Sequence, residues 1–336
     1  MSLLFYTAAD SSYEHLIPTY IYFALKNNTS SYAEVGVENA NKYKKKNEKT
    51  IEVLRDLFGK RFRLTTVNFN NVLSPAVRWV TTPTLVDRCD HVYIGDIDVL
   101  IFDSNVEEQH IRNMTENDAP FSNVIRKKSI EGDRKYRLSG LHFAPTDVQY
   151  PLPDLSDIPY HTYGKEADKL DRVGGSGDEH VLYKIMKKKG YMVPSNINFR
   201  PIHGIHMRTG SYPFGSTRDH SAPNSSFDKI STNEQKKAWS GIELERYRNQ
   251  FEEELHNQEF QKLYATLNVK VKNTLMILEN VCKGSFEELE TQAYNCIISE
   301  SDWQRLVRKG IQTARHDGKI STLRKIFQFL NRNINL

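Results

Sequence analysis

Nowhere in its 336 residues does the chain run to 18 consecutive apolar positions, so no membrane-spanning helix is expected. The opening, "MSLLFYTAADSSYEHL", lacks the basic stretch, the apolar core and the small-residue cleavage site of a secretory leader, and export is not expected. Cysteine is scarce. Cys89, Cys282 and Cys296 are too few and too scattered for a disulfide framework or a zinc knuckle, which fits a reducing, cytoplasmic setting. No glycine-rich phosphate loop with a nearby basic residue opens the chain, no internal repeat is present, and no patch interleaves aromatic with basic residues as nucleic-acid modules do. The basic excess is confined as well. The net charge is +4, yet Ser301–Leu336 alone holds eight Lys/Arg against Asp302 and Asp317, so residues 1–300 are slightly acidic.

A hydrophobic content of 38% with 26% charged residues describes a folded, soluble chain rather than a disordered one. "LLFYTAAD" (Leu3–Asp10) predicts a short buried strand, and "YEHLIPTYIYFALKNN" a helix with Pro18 in its first turn, where a missing N–H does no harm. Residues 39–58 predict a second helix, "RFRLTTVNF" a strand and "PAVRWVTTPTLVDRC" a helix. "HVYIGDIDVLIF" (His91–Phe102) reads as a strand carrying two aspartates. This alternation predicts an α/β fold with a mixed, mostly parallel sheet covered by helices, whose ligands bind off the C-terminal strand ends. Further on, "YRLSGLHFAP" is a strand candidate, 150–177 a long loop and "GDEHVLYKIMKKKG" a helix closing on Gly190. "FRPIHGIHM" is a late strand, followed by the Gly/Ser/Pro-rich "RTGSYPFGSTRDHSAPNSS". The composition divides the chain into an α/β domain, 1–215, and a linker with a helical C-terminal extension, 216–336.

Asp96 and Asp98 stand in an apolar run, where a charge is costly unless paired or bound to a cation. Two carboxylates where a chain leaves the pleat can curl around one hard ion, Mg²⁺ or Mn²⁺, that would offset the charge of a diphosphate leaving group. The plainer alternative is a solvated turn with an ion pair.

The ordered series of motifs around this pair resembles the metal-dependent glycosyltransferases of the GT-A fold, family 8 most closely. Ala8-Ala9-Asp10-Ser11-Ser12-Tyr13 follows the first strand as that family's Ala-Ala-Asp-x-x-Tyr does. Arg78 stands one span before the Asp-x-Asp, Ser139-Gly140-Leu141 loosely matches a small-residue–Gly segment, and Asp178-Glu179-His180 opens a helix where the family has Asp-Gln-Asp. "HGIHMRTGSYPFG" stands where the family ends on His-x-x-Gly-x-x-Lys-Pro-Trp, without the Lys-Pro-Trp; Arg208 is a substitute. The resemblance spans about residues 3–210 and marks a distant member or a sister family.

The resemblance implies transfer of a hexose from a nucleotide sugar, UDP-linked, to a saccharide acceptor, with Mn²⁺ or Mg²⁺ and with retention. Ala9, Asp10 and Tyr13 would hold the nucleotide base, with Asp10 as a helix cap and Tyr13 as a core aromatic the alternatives. Arg78 and Asp96 would face the donor, and Asp96 and Asp98 the metal. A neutral imidazole is a fair third ligand, and His203 and His206 compete for it. Glu179 would be a nucleophile or a prop for positive charge, or else a first-turn glutamate on the helix dipole. Asp178 would bind sugar hydroxyls or cap the helix; His142 and His180 are weaker candidates. Two rival activities stay open: a metal-dependent nucleotidyltransferase, against which the absent phosphate loop counts, and a non-catalytic binding protein on a degenerate transferase fold.

At the C-terminus "KISTLRKIFQFLNRNINL" spaces Ile320, Leu323, Ile326, Phe327, Leu330 and Ile334 on one helical face among basic residues. Such a helix either packs on its own domain or lies on the inner face of an anionic membrane, and the second option suits an acceptor that is lipid-linked, as in surface polysaccharide or lipopolysaccharide synthesis.

Overall fold

Strand β1 (Leu3–Ala9) is the centre of a five-stranded sheet of order β3-β2-β1-β4-β8. The computed structural model describes residues 2–127, 136–158, 160, 177–197, 199, 201, 203–207 and 247–283, which belong to one compact unit bounded by Met1–Lys283. β1 pairs in parallel with β2 (Tyr32–Val37) and β4 (His91–Ile94), and β2 with β3 (Phe62–Thr66). β8 (His142–Pro145) closes the far edge antiparallel to β4. This is the mixed, mostly parallel α/β sheet that the sequence predicts. β1 is apolar almost throughout because helices cover both of its faces.

Several boundaries differ from expectation, each for a physical reason. β2 was not anticipated: "YAEVGV" is short and carries Glu34 at its middle. That carboxylate is fully buried and accepts from Thr84 N (2.8 Å), Leu85 N (2.8 Å) and Thr65 Oγ1 (3.0 Å), so its charge is spread over local donors. The expected 39–58 helix is two, α2 (Ala40–Lys46) and α3 (Glu48–Phe58), broken at Asn47. "PAVRWVTTPTLVDRC" keeps one α-turn, α4 (Val77–Val80), before Thr81 turns extended, two residues ahead of Pro83, which has no N–H to continue the helix. The aspartate strand breaks at Gly95. Its second half, β5 (Val99–Ile101), leaves the sheet to pair antiparallel with β9 (Gly204–His206). "YRLSGLHFAP" is also two strands, β7 (Tyr136–Leu138) and β8, parted at Ser139–Leu141. β7 pairs antiparallel with β6 (Ile125–Lys127), α5 (Val106–Glu116) lies between β5 and β6 in the chain, and the short α6 (Thr146–Gln149) follows β8.

Two apolar layers hold this frame. On one, Leu4, Tyr6, Trp79 and Ile94 pack with Val181, Leu182 and Ile185 of α7 (Gly177–Lys188). On the other lies α1 (Ile17–Asn27), buried from Ile17 through Leu25. It is sandwiched because helical residues 247–256 (α8) and α9 (Gln258–Thr266) cover it, with Phe260 5.0 Å from Tyr22 and 5.4 Å from Phe23, ring to ring. α10 (Val269–Lys283) follows. The 215/216 boundary, Arg208, most of the 150–177 loop and the basic C-terminal stretch lie outside the described residues. No described helix is long and apolar enough to cross a membrane.

Candidate active site

β3 leads to β4 across β1, so the strand order reverses between β1 and β4, and a crevice opens off their C-terminal ends. β1 runs out into Asp10 and β4 into Gly95–Asp96, which makes neighbours of two segments about ninety positions apart in sequence.

On the β1 side Asp10 is anchored. Its Oδ1 accepts from Ser12 N (2.9 Å), its Oδ2 from Ser74 Oγ (2.5 Å), and its carbonyl from Tyr13 N and Glu14 N (2.9 Å each). Asp10 thus closes a turn on Ser12 and is not the cap of the following helices, whose N-caps are Tyr13 and Leu16 without side-chain cap bonds; Asp10 and Tyr13 remain half-exposed. Ala9 is buried. Ser74 was not anticipated, since nothing in its sequence setting marks it.

On the β4 side three groups converge. Asp96, Asp98 and His206 bring one ligand atom each to within 4.8 Å of one another, and all three are half-buried. The break at Gly95 makes this possible. β5 leaves the sheet plane and pairs with β9 in the register Val99↔His206, which sets His206 beside Asp98. His206 Nε2 lies 2.9 Å from Asp98 Oδ1. That approach depends on Gly204: a Cβ there would meet the Leu100 carbonyl oxygen at 1.7 Å.

The two candidate histidines are separated by the structure. His203 is buried, takes a left-handed φ of 62° and points away from the aspartate pair. Its Nδ1 meets Asp103 Oδ2 and its Nε2 meets His110 Nε2, both at 2.9 Å. His110 Nδ1 continues to Ser122 Oγ (2.8 Å), which accepts from Asn113 Nδ2 (2.9 Å). Both ring nitrogens of His203 are therefore committed, and of the two histidines it is His206 that joins the aspartate pair. The His203 carbonyl also accepts from Phe102 N (2.8 Å) and Asp103 N (3.1 Å), so residue 203 is fixed from several sides just before β9. Sequence reasoning missed Asp103 and His110, because contacts so distant in the chain leave no local pattern.

Arg78 knits the floor of the crevice. Its Nη1 donates to Gly95 O (2.9 Å) and Asp96 Oδ1 (2.5 Å), and its Nη2 donates to Asp178 Oδ2 (3.0 Å). Burial alone would lower its pKa, but the Asp96 and Asp178 carboxylates outweigh that and hold it above the ordinary arginine value. Burial raises the Asp178 carboxyl above the usual range despite Arg78, with Glu179 and Asp96 adding to the rise. Gly140 lets the chain pass close by: a Cβ there would sit 3.2 Å from Arg78 Nη2 and 3.8 Å from Asp96 Oδ1. The bond to Arg78 does not exhaust Asp96, since a carboxylate offers about four lone-pair sites.

Glu179, one step along α7, is gripped by two further arginines that the sequence did not flag. Oε1 accepts from Arg126 Nη1 (2.8 Å) and Gly140 N (3.2 Å), and Oε2 lies 3.0 Å from Arg137 Nη1. His142 is structural. Asn123 Oδ1 accepts from Val124 N and Ser139 N, so its Nδ2 must donate to His142 Nδ1 (3.1 Å), and the ring proton sits on Nε2 facing Gln149 Oε1 (3.0 Å). Burial pushes the His142 pKa down to about 3. His180 Nδ1 lies 3.1 Å from the Tyr136 carbonyl, tying α7 to β7.

No protein-family model matches the sequence, and no curated protein is similar to it. Among solved structures the chain is similar to the galactosyltransferase LgtC in complex with donor and acceptor sugar analogs, at 15% identity over 74% of this chain and 99% of that one, TM-score 0.40. An active-site mutant of LgtC is similar at 17% identity over 55% and 70%, TM-score 0.39. The glycosyltransferase GlyE in Streptococcus pneumoniae TIGR4 is similar at 11% over 55% and 43%, TM-score 0.32. At these scores the likenesses carry no weight for function, which is argued from the site's own geometry.

Proposed function

We propose that the protein is a metal-dependent glycosyltransferase of GT-A type, which moves a hexose from a nucleotide sugar, UDP-linked, to a saccharide acceptor. The observation that carries it is the convergence of Asp96, Asp98 and His206 at the strand-order reversal beside Arg78. Two carboxylate oxygens and an imidazole nitrogen are a donor set suited to Mn²⁺, less so to Mg²⁺, which prefers oxygen alone. A divalent ion held there supplies charge neutralisation for the departing diphosphate. As a ligand, His206 presents the Nε2 lone pair and keeps its proton on Nδ1. Arg78 holds Asp96 and Asp178 in register across the crevice, so that one carboxylate serves the ion and the other stays toward the sugar. Asp10 and Tyr13 lie at the neighbouring strand end, within the part of the crevice left for the base.

Glu179 is the acidic group nearest Asp178 on α7, and retention would place it on the far face of the transferred sugar. Its ion pairs with Arg126 and Arg137 favour a role as an oriented anion that stabilises positive charge over one as a free nucleophile. A lipid-linked acceptor and contact with an anionic membrane through the basic C-terminal stretch complete the proposal. The test is release of UDP from a panel of UDP-, GDP- and CDP-sugars with Mn²⁺, using wild type and Asp98→Asn. Turnover of a UDP-sugar that falls at least a hundredfold in Asp98→Asn supports it. Equal activity in the variant, or release of pyrophosphate, overturns it.

A further inference from the structure

The site is charged unequally from end to end. At the metal end three carboxylates gather among the described residues: Asp96 and Asp178 share the Arg78 guanidinium, and Asp98 meets His206, a setting suited to a divalent cation. At the other end, among the described residues, Arg126 and Arg137 both pair with one carboxylate, Glu179, and Asp178 is a further, weaker influence on Arg137. The two arginines are directly opposed across the β6–β7 ladder, so they share a face of the hairpin and point the same way. Like charges directly opposite in a ladder are destabilising, so an anion between the two guanidiniums relieves the pair.

The pairing that exists is also incomplete. Arg137 Nη1 and Glu179 Oε2 are 3.0 Å apart but misaligned, and Oε2 is buried with no hydrogen bond among the described residues. The Arg137 Nε is likewise buried and unbonded. Burial lowers the Arg137 pKa, and Arg126 adds to that, against the opposing pull of Glu179 and Asp178. Glu179 is bonded by the Gly140 N–H, and Gly140 abuts Arg78 and Asp96, so this corner adjoins the candidate metal site.

We propose that Arg126 and Arg137 form a receptor for an anionic group, a carboxylate or a phosphate, carried by one of the two sugars brought to the site. The planar guanidinium fork matches both groups in two-point hydrogen bonding, and two opposed forks can share the anion with Glu179 set to one side. The metal-bound diphosphate is not that anion, because it belongs to the carboxylate end. This inference deepens the glycosyltransferase proposal and rests on it.

Calorimetry separates the two ideas. UDP is titrated with and without Mn²⁺, and then UDP-glucuronate is compared with UDP-glucose. A second arm follows glucuronate and glucose 6-phosphate against glucose by saturation-transfer NMR on the UDP–Mn²⁺ complex. The expected result is a preference of at least about tenfold, about 1.4 kcal/mol, for the acidic sugar in one arm, which identifies donor or acceptor as its carrier. Arg137→Gln and, independently, Arg126→Gln should abolish the preference. Glu179→Gln should strengthen it, which a merely structural ion pair would not do. If UDP binds with Mn²⁺ but acidic and neutral sugars bind equally in both arms, the receptor is refuted and the transferase proposal stands. If UDP does not bind with Mn²⁺, both fall.

Discussion

Gly204→Ala tests whether the β5–β9 pairing builds the metal end of the site. A Cβ at 204 would lie 1.7 Å from the Leu100 carbonyl oxygen, half the 3.4 Å at which ordinary contact begins, so the backbones must part by about 1.7 Å. Neither partner can yield by rotating a side chain, since both are backbone. Alanine also restricts the unfolded chain, which favours folding by about 0.4–1 kcal/mol. Forced separation of packed elements costs about 1–3 kcal/mol, so the steric effect wins. A net loss of about 2 kcal/mol, at a urea slope of about 3 kcal/mol/M, lowers the unfolding midpoint by about 0.7 M. The larger consequence is local. His206 lies two residues beyond Gly204 on the same short strand, so a separated β9 carries its imidazole away from Asp98. Mn²⁺ affinity by calorimetry should fall about tenfold to a hundredfold, the range for displaced ligand support. A variant with the wild-type midpoint and wild-type Mn²⁺ affinity would refute this reasoning.

Three other outcomes are expected. Arg78→Ala leaves Asp96 and Asp178 without their shared cation, and denaturant melts should show about 3–5 kcal/mol of destabilisation, easing on acidification as the carboxyls take up protons. His203→Ala removes the ring that bridges Asp103 and His110 and should cost about 1–3 kcal/mol, with weaker Mn²⁺ binding because β9 loses its anchor, whereas a merely local role would leave Mn²⁺ binding unchanged. His142 is neutral in the fold, with its pKa down at about 3, and protonates near 6.5 once unfolded. Its contribution is therefore complete above pH 6.5 and is lost as the pH falls toward 3, by about 2 kcal/mol at pH 5. Denaturant midpoints at pH 7 and pH 5 should show a smaller acid loss in His142→Asn than in wild type; equal losses would contradict the buried neutral ring.

The parallel core was legible because burial on both faces demands an apolar run, and β1, β4 and α1 each show one. β2 was hidden because the donors that tame Glu34 come from Thr65, Thr84 and Leu85, over thirty residues away. The aspartate pair stood out for the opposite reason, as charges with no local partner in an apolar setting. Which histidine joins them was not decidable from "HGIHM", since both sit near one strand. The choice follows from Gly204 and the β5 register, which turn His206 toward Asp98 and leave His203 to Asp103 and His110. Arg126 and Arg137 were lost in a generally basic stretch, where only the hairpin pairing reveals that they face each other.

The most direct measurement is a crystal grown with UDP and Mn²⁺ and read by the anomalous signal of manganese. The proposed chemistry requires one peak bonded to carboxylate oxygens of Asp96 and Asp98 and to His206 Nε2, with the diphosphate completing its shell. A nucleotide bound with no peak there, and Asp98 still hydrogen-bonded to His206, would contradict it.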